Sequence, residues 1–188
     1  MNQQCLFNEE INIPGLTYIS NYISSAYEEK LLKLIDTQEW NLDLKRRTQH
    51  YGYKYDYTAR SIGSSNYLGK MPYWIDELCY KLYSESIFID KPDQVIINEY
   101  MPGQGIASHI DCVPCFADTI CSLSLASWCV MELTNGNLKE HIYLRPASLL
   151  ILKGDARYKW KHGIAARKSD NGLKRQRRIS LTFRKIIL

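Results

Sequence analysis

A succession of short β-strand patterns fills the second half of the chain, and this feature limits the fold more than any other. Residues 120–126 alternate apolar and small polar side chains, which is typical of a half-buried strand. Residues 141–146 and 148–152 add further strand patterns. Asn135 and Gly136, which follow an apolar run, form a strong β-hairpin signal. This part of the chain therefore predicts antiparallel sheet.

Two amphipathic helices are predicted before these strands, at residues 26–35 and 72–84. The chain shows no regular alternation of strand and helix, so a parallel sheet is not indicated. The predicted fold is mainly β with flanking helices (α+β). Its antiparallel double sheet is a double-stranded β-helix, or jelly roll, with the helices on one side.

A length of 188 residues suits one domain. We expect residues 1–13 to form a loose lead-in and residues 14–188 to form that domain. No apolar run approaches the roughly 20 residues of a membrane helix. The N-terminus lacks the basic and apolar regions of a secretory signal. We therefore expect an intracellular, cytoplasmic monomer without membrane contact.

The sequence contains six cysteines. In a chain with no recognisable export signal, we expect reduced thiols rather than a disulfide framework. Cys112 and Cys115 form a Cys-x-x-Cys pair without a matching second pair, so a zinc knuckle is not indicated. We interpret them as small buried or loop residues, and a metal or redox role stays open.

The segment from Asn98 to Asp111 contains the first candidate site residues. It follows the β-branched run Val95-Ile96-Ile97, which predicts a strand, and then turns at Pro102 and Gly103. His109 and Asp111 are two positions apart, and on an extended backbone such side chains share a face, roughly 6–7 Å apart. They could bind one side of a metal ion, and another residue would complete a set of two histidines and a carboxylate. The spacing alone is a weak signal.

Three later residues extend this candidate site. His162 lies near the edge of a predicted late strand, and strands distant in sequence can face each other inside a double sheet. Arg178 and Arg184 lie on one face of the last predicted strand, whose other face is apolar. Two cations on such a strand are costly to bury without anions. A dicarboxylate could satisfy both.

Residues 40–57 combine cations with aromatic rings. Tyrosines recur there at every second position: Tyr51, Tyr53, Tyr55 and Tyr57. On a strand, all four rings would share one face. One interpretation is a half-buried strand with an aromatic inner face. The alternative is a rim that stacks nucleic-acid bases and binds phosphates through its arginines.

Several sequence blocks between residues 95 and 184 occur in a specific order. They are Asn98-x-Tyr100-x-Pro-Gly-x-Gly-Ile-x-x-His109-x-Asp111, Ser122-Leu-Ser-Leu, Ser148-Leu-Leu, Arg157-Tyr-x-Trp-x-His162-Gly-Ile and Arg178-x-Ser180-x-Thr-Phe-Arg184. Together they resemble the AlkB family of Fe(II)- and 2-oxoglutarate-dependent dioxygenases. A further block that begins Lys45-Arg46-Arg47 extends the likeness to nearly the whole chain. The branch that hydroxylates a modified wobble uridine in tRNA is the most similar one.

The resemblance implies a nucleotide-recognition lid at about residues 40–70 and a catalytic core at about 92–186. It implies that the iron is bound by His109, Asp111 and His162. It implies two contact sets for 2-oxoglutarate: Arg178 and Ser180 at the distal carboxylate, and Asn98 and Arg184 near the metal, with Tyr100 lining the pocket. The residues expected to bind substrate are Arg46, Arg47, His50, Tyr51 and Tyr53.

The expected function is oxidative demethylation of alkylated bases in DNA or RNA, with Fe(II) as cofactor and 2-oxoglutarate and O₂ as cosubstrates. The nucleic acid would be single-stranded or have the target base flipped out. One alternative is hydroxylation of a modified wobble uridine in tRNA. A second is a non-catalytic nucleic-acid-binding module, although the complete ligand set argues against it.

Overall fold

The computed structural model describes residues 11–56 and 61–187. The helices are α1 (Ser25–Asp36), α2 (Tyr73–Ser84) and the short α3 (Gly154–Tyr158). The first five strands are β1 (Leu16–Ile19), β2 (Thr48–Tyr51), β3 (Gln94–Tyr100), β4 (Ile106–His109) and β5 (Phe116–Leu125). The later strands are β6 (Cys129–Asn135), β7 (Leu138–Leu144), β8 (Ser148–Leu152), β9 (Lys161–Ile164), β10 (Ser169–Asp170), β11 (Leu173–Lys174) and β12 (Arg178–Ile186).

Two antiparallel sheets form the domain core. The larger has the order β1-β8-β5-β12-β3-β2 and the smaller has the order β4-β9-β6-β7. Apolar side chains of both sheets meet in one buried cluster, for example Leu150 and Leu152 with Leu133 and Leu144. This face-to-face packing confirms the predicted jelly roll. The expected hairpin at Asn135 is also present, between β6 and β7.

The two faces of the last strand, β12, have different surroundings. Its odd-numbered residues, such as Ile179 and Leu181, are buried in a cluster that also contains side chains of α1 and α2. Its even-numbered residues, from Arg178 to Arg184, line a cavity between the sheets. Successive strand residues point to opposite faces, so one strand supplies both a helix-covered core and a polar wall.

Both predicted helices are present and cover the outer face of the larger sheet. The side chain of Ser24 caps α1 by accepting a hydrogen bond from the Tyr27 amide. Leu31 and Ile35 of α1 are fully buried, as is Ile75 of α2, and burying a side chain of this size contributes about 1.5–3 kcal/mol. No helix within the described residues is long and apolar enough to cross a membrane.

The expectation that the tyrosines from 51 to 57 share one face was wrong for the described members. Strand β2 ends at Tyr51, and Gly52 follows with a φ of 76°. That left-handed conformation interrupts the extended backbone and ends the alternation. Tyr51 packs edge-to-face on Trp74 in the helix-covered core, whereas Tyr53 and Tyr55 join the cluster between the sheets. Tyr57 lies outside the described residues.

The expectation of reduced thiols was wrong for Cys112 and Cys115, which form a disulfide. In the turn between them the Cys115 amide donates to the Cys112 carbonyl. The turn places their Cα atoms 5.3 Å apart, within the range that a disulfide requires. The other described cysteines are free and buried, as expected: Cys79, Cys121 and Cys129. Cys5 lies outside the described residues.

Candidate active site

Three potential metal ligands meet at one end of the cavity. The candidate ligand atoms of His109, Asp111 and His162 all lie within 4.8 Å of one another. His109 and His162 are direct partners in the pairing of β4 with β9, and their ring centroids are 4.5 Å apart. Asp111 follows β4 in the chain, and its Oδ2 lies 3.5 Å from Nε2 of His162. The tertiary structure therefore brings together residues that are distant in the sequence.

Hydrogen bonding and burial prepare the two histidines to coordinate a metal. Nδ1 of His109 lies 2.8 Å from the Ala107 carbonyl oxygen, which can only accept, so Nδ1 donates this bond and Nε2 is the ring nitrogen left for a metal. Burial lowers the pKa of His162 to about 4, and the positive charges of Arg184 and Arg157 act in the same direction. Its ring is therefore neutral at pH 7, the form in which histidine binds metals.

Asp111 is ionised although it is buried. Burial alone would raise its pKa, but the Arg184 guanidinium and the neighbouring histidines hold that pKa well below the usual range. Nη2 of Arg184 donates to Oδ1 of Asp111 at 2.6 Å. Since Oδ1 is occupied, Oδ2 is the oxygen that faces His162 and could bind a metal in monodentate form.

A buried arginine fixes the backbone beside Asp111. Arg157 in α3 is 2% exposed and donates to the carbonyl oxygens of Asp111 at 3.0 Å and of Cys112 at 3.2 Å. Helix α3 also leads directly into β9, which contains His162. Arg157 thus joins the segments that hold two of the candidate ligands. The sequence pattern placed Arg157 in a motif but gave no indication of this contact.

The wall formed by β12 contains buried guanidinium nitrogens without hydrogen-bond acceptors in the described chain. Nη2 of Arg178 donates to Ser124 Oγ at 2.7 Å, and no other described residue accepts from its buried Nε or Nη1. Nε of Arg184 is likewise buried without an acceptor in the described part of the chain. Ser180 lies on the same face, with its Oγ 2.9 Å from Ser122 Oγ. Buried cations in this state require an anionic ligand.

These groups line a cavity of about 330 Å³. Besides the three candidate metal ligands, the predicted site residues that line it are Asn98, Tyr100, Arg178, Ser180, Arg184 and Arg46. The cavity joins a set of two histidines and a carboxylate to a pair of guanidiniums on one wall. That donor set suits Fe(II) with open coordination positions, and the guanidiniums suit the two carboxylates of an oxoacid. The residues present therefore fit both groups.

Of the five predicted substrate-binding residues, only Arg46 lines this cavity. Arg47 points outward, where its Nε and Nη2 bind the Glu99 carboxylate and its guanidinium lies 4.9 Å from the Trp40 ring centroid. His50, a partly buried residue of β2, instead lines a separate groove. Tyr51 is turned into the helix-covered core, and Tyr53 packs on Tyr67.

Sequence patterns did not identify some of the groups that shape the site. Tyr55 and Phe116 contribute rings to the cavity wall, and the Arg184 guanidinium lies 4.8 Å from the Phe116 ring centroid. Gln94 accepts from Nη1 of Arg184 at 3.2 Å. Tyr55 belongs to the series of alternating tyrosines. Its position in the cavity wall was not predicted, because no clear signal in the sequence indicated that the strand breaks at Gly52.

Comparison with known proteins adds independent information. Residues 15–184 match the family model described as the 2OG-Fe(II) oxygenase superfamily. The chain is 41% identical over 187 residues to the uncharacterized protein L905 of Acanthamoeba polyphaga mimivirus, with 94% of this chain and 87% of that protein covered. It is 34% identical to the alkylated DNA repair protein ALKBH8 homolog of Arabidopsis thaliana, covering 96% of this chain and 61% of that protein.

A further relative is the DNA N6-methyl adenine demethylase of Caenorhabditis elegans, at 32% identity over 93% of this chain and 60% of that protein. The chain thus spans less than two thirds of the Arabidopsis and Caenorhabditis relatives. Among solved structures, OsALKBH1 superposes with a TM-score of 0.73 at 17% identity, covering 94% of this chain and 99% of that chain, and so shares the fold. Together with the cavity, these matches show that the chain belongs to the 2OG-Fe(II) oxygenase superfamily and, within it, to the AlkB family of dioxygenases that use Fe(II), 2-oxoglutarate and O₂.

Proposed function

We propose that this dioxygenase removes N-methyl groups from alkylated bases in DNA or RNA. The observation that supports this proposal best is the cavity itself, which joins three metal-binding side chains to unsatisfied guanidiniums on one wall. Several relatives bear names that refer to repair or demethylation of nucleic acid. The space beside the candidate ligands is where a base would have to enter.

The metal would be held by Nε2 of His109, Nε2 of His162 and Oδ2 of Asp111. The bond from Arg184 to Oδ1 would keep Asp111 monodentate, and three ligands on one side leave positions open for cosubstrates. With Fe(II), 2-oxoglutarate and O₂ bound, such a centre couples decarboxylation of the oxoacid to hydroxylation of a nearby C–H bond. A hydroxylated N-methyl group then leaves as formaldehyde and restores the base.

2-Oxoglutarate would lie along β12. Arg178 would take the distal carboxylate through its unpaired Nε and Nη1 atoms, with Ser180 beside it. Arg184 would neutralise the end near the metal, where it already contacts Asp111. Asn98 and Tyr100, on the neighbouring strand β3, would complete the pocket. The role of these residues is to orient the oxoacid and to keep the charge of each carboxylate paired in a buried setting.

Hydroxylation of a modified wobble uridine in tRNA is the second candidate function. It is favoured by similarity to mouse tRNA (carboxymethyluridine(34)-5-O)-methyltransferase ALKBH8, at 38% identity over 84% of this chain and 25% of that protein. In that case the oxidised carbon would belong to a substituent of the base, and no formaldehyde would be released. The two functions therefore give different products from the same site.

The test is incubation of the Fe(II)-loaded protein with 2-oxoglutarate and a panel of methylated DNA, methylated RNA and modified anticodon stem-loops. Demethylation predicts formaldehyde and a mass loss of one methylene in a methylated oligonucleotide. Wobble-uridine hydroxylation predicts a mass gain of one oxygen in the stem-loop without formaldehyde. Asp111→Asn serves as the metal-site control. Unchanged masses across the panel, despite succinate formation, would contradict both candidates.

A further inference from the structure

A third guanidinium borders the cavity and is not needed by the cosubstrate. The charged side chains that line the cavity, within the described chain, are Arg46, Arg178, Arg184 and Asp111. The charges of Fe(II) and the 2-oxoglutarate dianion cancel, and Asp111 offsets one arginine. The loaded site would therefore keep an excess of positive charge, which favours an anionic ligand in the remaining space.

Arg46 differs from the two β12 arginines in its exposure. Arg178 is 3% exposed and its unpaired atoms are buried, whereas Arg46, which also lines the cavity, is half-buried. Its guanidinium carbon lies 6.0 Å from the Tyr100 ring centroid, and that of Arg178 lies 5.6 Å from the same centroid. Arg46 thus lies beside the proposed cosubstrate pocket, and part of its side chain remains open to solvent.

The position of Arg46 is fixed by the strand pairing that continues before β2. The Glu99 amide donates to the Arg47 carbonyl at 3.0 Å, which extends the contact of this segment with β3. Neighbouring residues on extended backbone point to opposite sides. Arg47 accordingly binds Glu99 on the outer side, whereas Nε of Arg46 donates to Asn98 Oδ1 at 2.8 Å on the cavity side.

The Nη1 and Nη2 donors of Arg46 therefore remain available to a ligand. No described residue accepts from its Nη1 or Nη2, and the single bond from Nε to Asn98 orients the planar group. A guanidinium held in this way presents two parallel N–H groups, the geometry that matches a carboxylate or a phosphate. The surroundings are also positive, because Lys54, Arg184 and Arg46 each add to the effect of burial in lowering the pKa of His50 to about 4.

We infer that Arg46 binds an oxyanion of the substrate. This inference rests on the proposed function and specifies its substrate: the modified nucleotide presents an anionic group beside Asn98, from either a carboxylate on the base or the nucleotide phosphate. Recognition by Arg46 selects such nucleotides over neutral nucleosides. Arg47, in contrast, is a structural residue that contributes no substrate contact.

The experiment measures ligand binding to the protein loaded with Co(II) and N-oxalylglycine, a non-reacting analogue of 2-oxoglutarate. The probes are 5-carboxymethyluridine, uridine 5′-monophosphate and neutral uridine, followed by ligand-observed NMR titration. Arg46→Gln is compared with Lys45→Gln, an adjacent exposed position with the same change of charge. The Co(II) absorption spectrum and circular dichroism of each variant verify that it is folded and loaded, and Arg46→Lys tests partial rescue.

Arg46→Gln is expected to weaken binding of one anionic probe roughly 10- to 100-fold, as for other charge-assisted hydrogen bonds, and to leave uridine unchanged. Loss for carboxymethyluridine alone identifies a base carboxylate, and loss for the monophosphate identifies the phosphate. Lys45→Gln should change binding less than about twofold, apart from general screening. Equal binding of all three probes by the wild-type protein overturns the inference, as does equal binding by wild type and Arg46→Gln.

Because Arg46 binds Asn98, Arg46→Gln should raise the KM for 2-oxoglutarate only slightly. A third contradicting result is a rise in this KM that equals or exceeds the loss of affinity for the anionic probes, because Arg46 would then serve the cosubstrate. Failure of the proposed function has a different signature. If no oligonucleotide is modified but an anionic probe still binds in an Arg46-dependent manner, the inference holds and nucleic-acid oxidation is rejected.

Discussion

Arg184 and Asp111 are joined by a direct hydrogen bond of 2.6 Å between Nη2 and Oδ1. One of them is a candidate metal ligand and the other a candidate cosubstrate residue. The bond connects the candidate metal site to the candidate 2-oxoglutarate site. A change at Arg184 is therefore expected to affect metal binding as well as cosubstrate binding. Arg178, at the far end of β12, instead donates to Ser124.

Arg184→Met is expected to weaken both metal and cosubstrate binding. Loss of the bond leaves Asp111 less well oriented, and loss of such supporting contacts typically reduces metal affinity about 10- to 100-fold. Arg178→Met should raise the KM for 2-oxoglutarate but leave metal affinity unchanged. Co(II) titration without the oxoacid, followed by steady-state kinetics, measures both effects. Identical metal affinities in the two variants would show that the Arg184–Asp111 bond has no role in the metal site.

Removal of the Arg178 charge should stabilise the protein in the absence of 2-oxoglutarate. Its Nε and Nη1 atoms are buried without acceptors in the described chain. Replacing buried ionic groups by apolar side chains of similar volume is neutral or favourable, by up to about 4 kcal/mol. Urea denaturation of Arg178→Met and wild type measures this difference. Added 2-oxoglutarate should raise the stability of wild type much more than that of the variant. A less stable variant with the same response to the oxoacid is the contrary result.

Arg157→Met should destabilise the fold and weaken metal binding together. It leaves the buried carbonyl group of Asp111 without its donor, at about 1–3 kcal/mol, and also removes the donor of the partly buried Cys112 carbonyl. Lys159→Met is a suitable control, since Lys159 is an exposed residue of the same region whose ion pair with Asp155 contributes about 0–1 kcal/mol. Thermal denaturation and Co(II) titration measure the two effects. A stable Arg157→Met protein with unchanged metal affinity would exclude this role.

Gly105→Ala should separate the strands that carry the histidines. A methyl group at this position would lie 2.1 Å from the Ile164 carbonyl oxygen, on the strand that pairs with β4. The clash forces β4 away from β9, so His109 moves relative to His162; the expected cost is about 1–3 kcal/mol with reduced metal affinity. Gly63→Ala is the control, because its nearest contact is 3.8 Å away. Co(II) spectra of both variants distinguish a moved site from an intact one.

The metal-free protein should lose stability as the pH falls from about 6.5 to about 4. Burial lowers the pKa values of His162 and His50 from 6.5 to about 4. In this window the unfolded chain binds more protons than the folded protein, so each histidine contributes a slope of up to about 1.4 kcal/mol per pH unit. The stability that Asp111 supplies is lost only at lower pH, because its folded pKa is depressed.

Urea denaturation of the metal-free protein at several pH values measures this slope. His162→Gln and His50→Gln should each flatten it, since glutamine does not titrate. A slope that is unchanged in both variants between pH 6.5 and 4 would mean that other groups control the acid response.

Local sequence determined the elements of the fold and the side chains at its centre. The apolar spacing of α1, the alternation in β5 and β12, and the turn at Asn135 were all predicted, since these patterns depend on residues within one turn or one pleat. The same alternation put Arg178 and Arg184 on one face, and the order of the family blocks indicated His109, Asp111 and His162 as the metal ligands.

Only the tertiary structure decided which of these side chains meet. The bond from Arg157 to the Asp111 carbonyl spans 46 residues, and the separation of Arg46 from Arg47 depends on pairing with Asn98 and Glu99, 52 residues away. No local pattern encodes such contacts, because they arise from the packing of strands distant in sequence. The disulfide of Cys112 and the break after Tyr51 likewise depend on backbone geometry at single residues, which composition and periodicity do not specify.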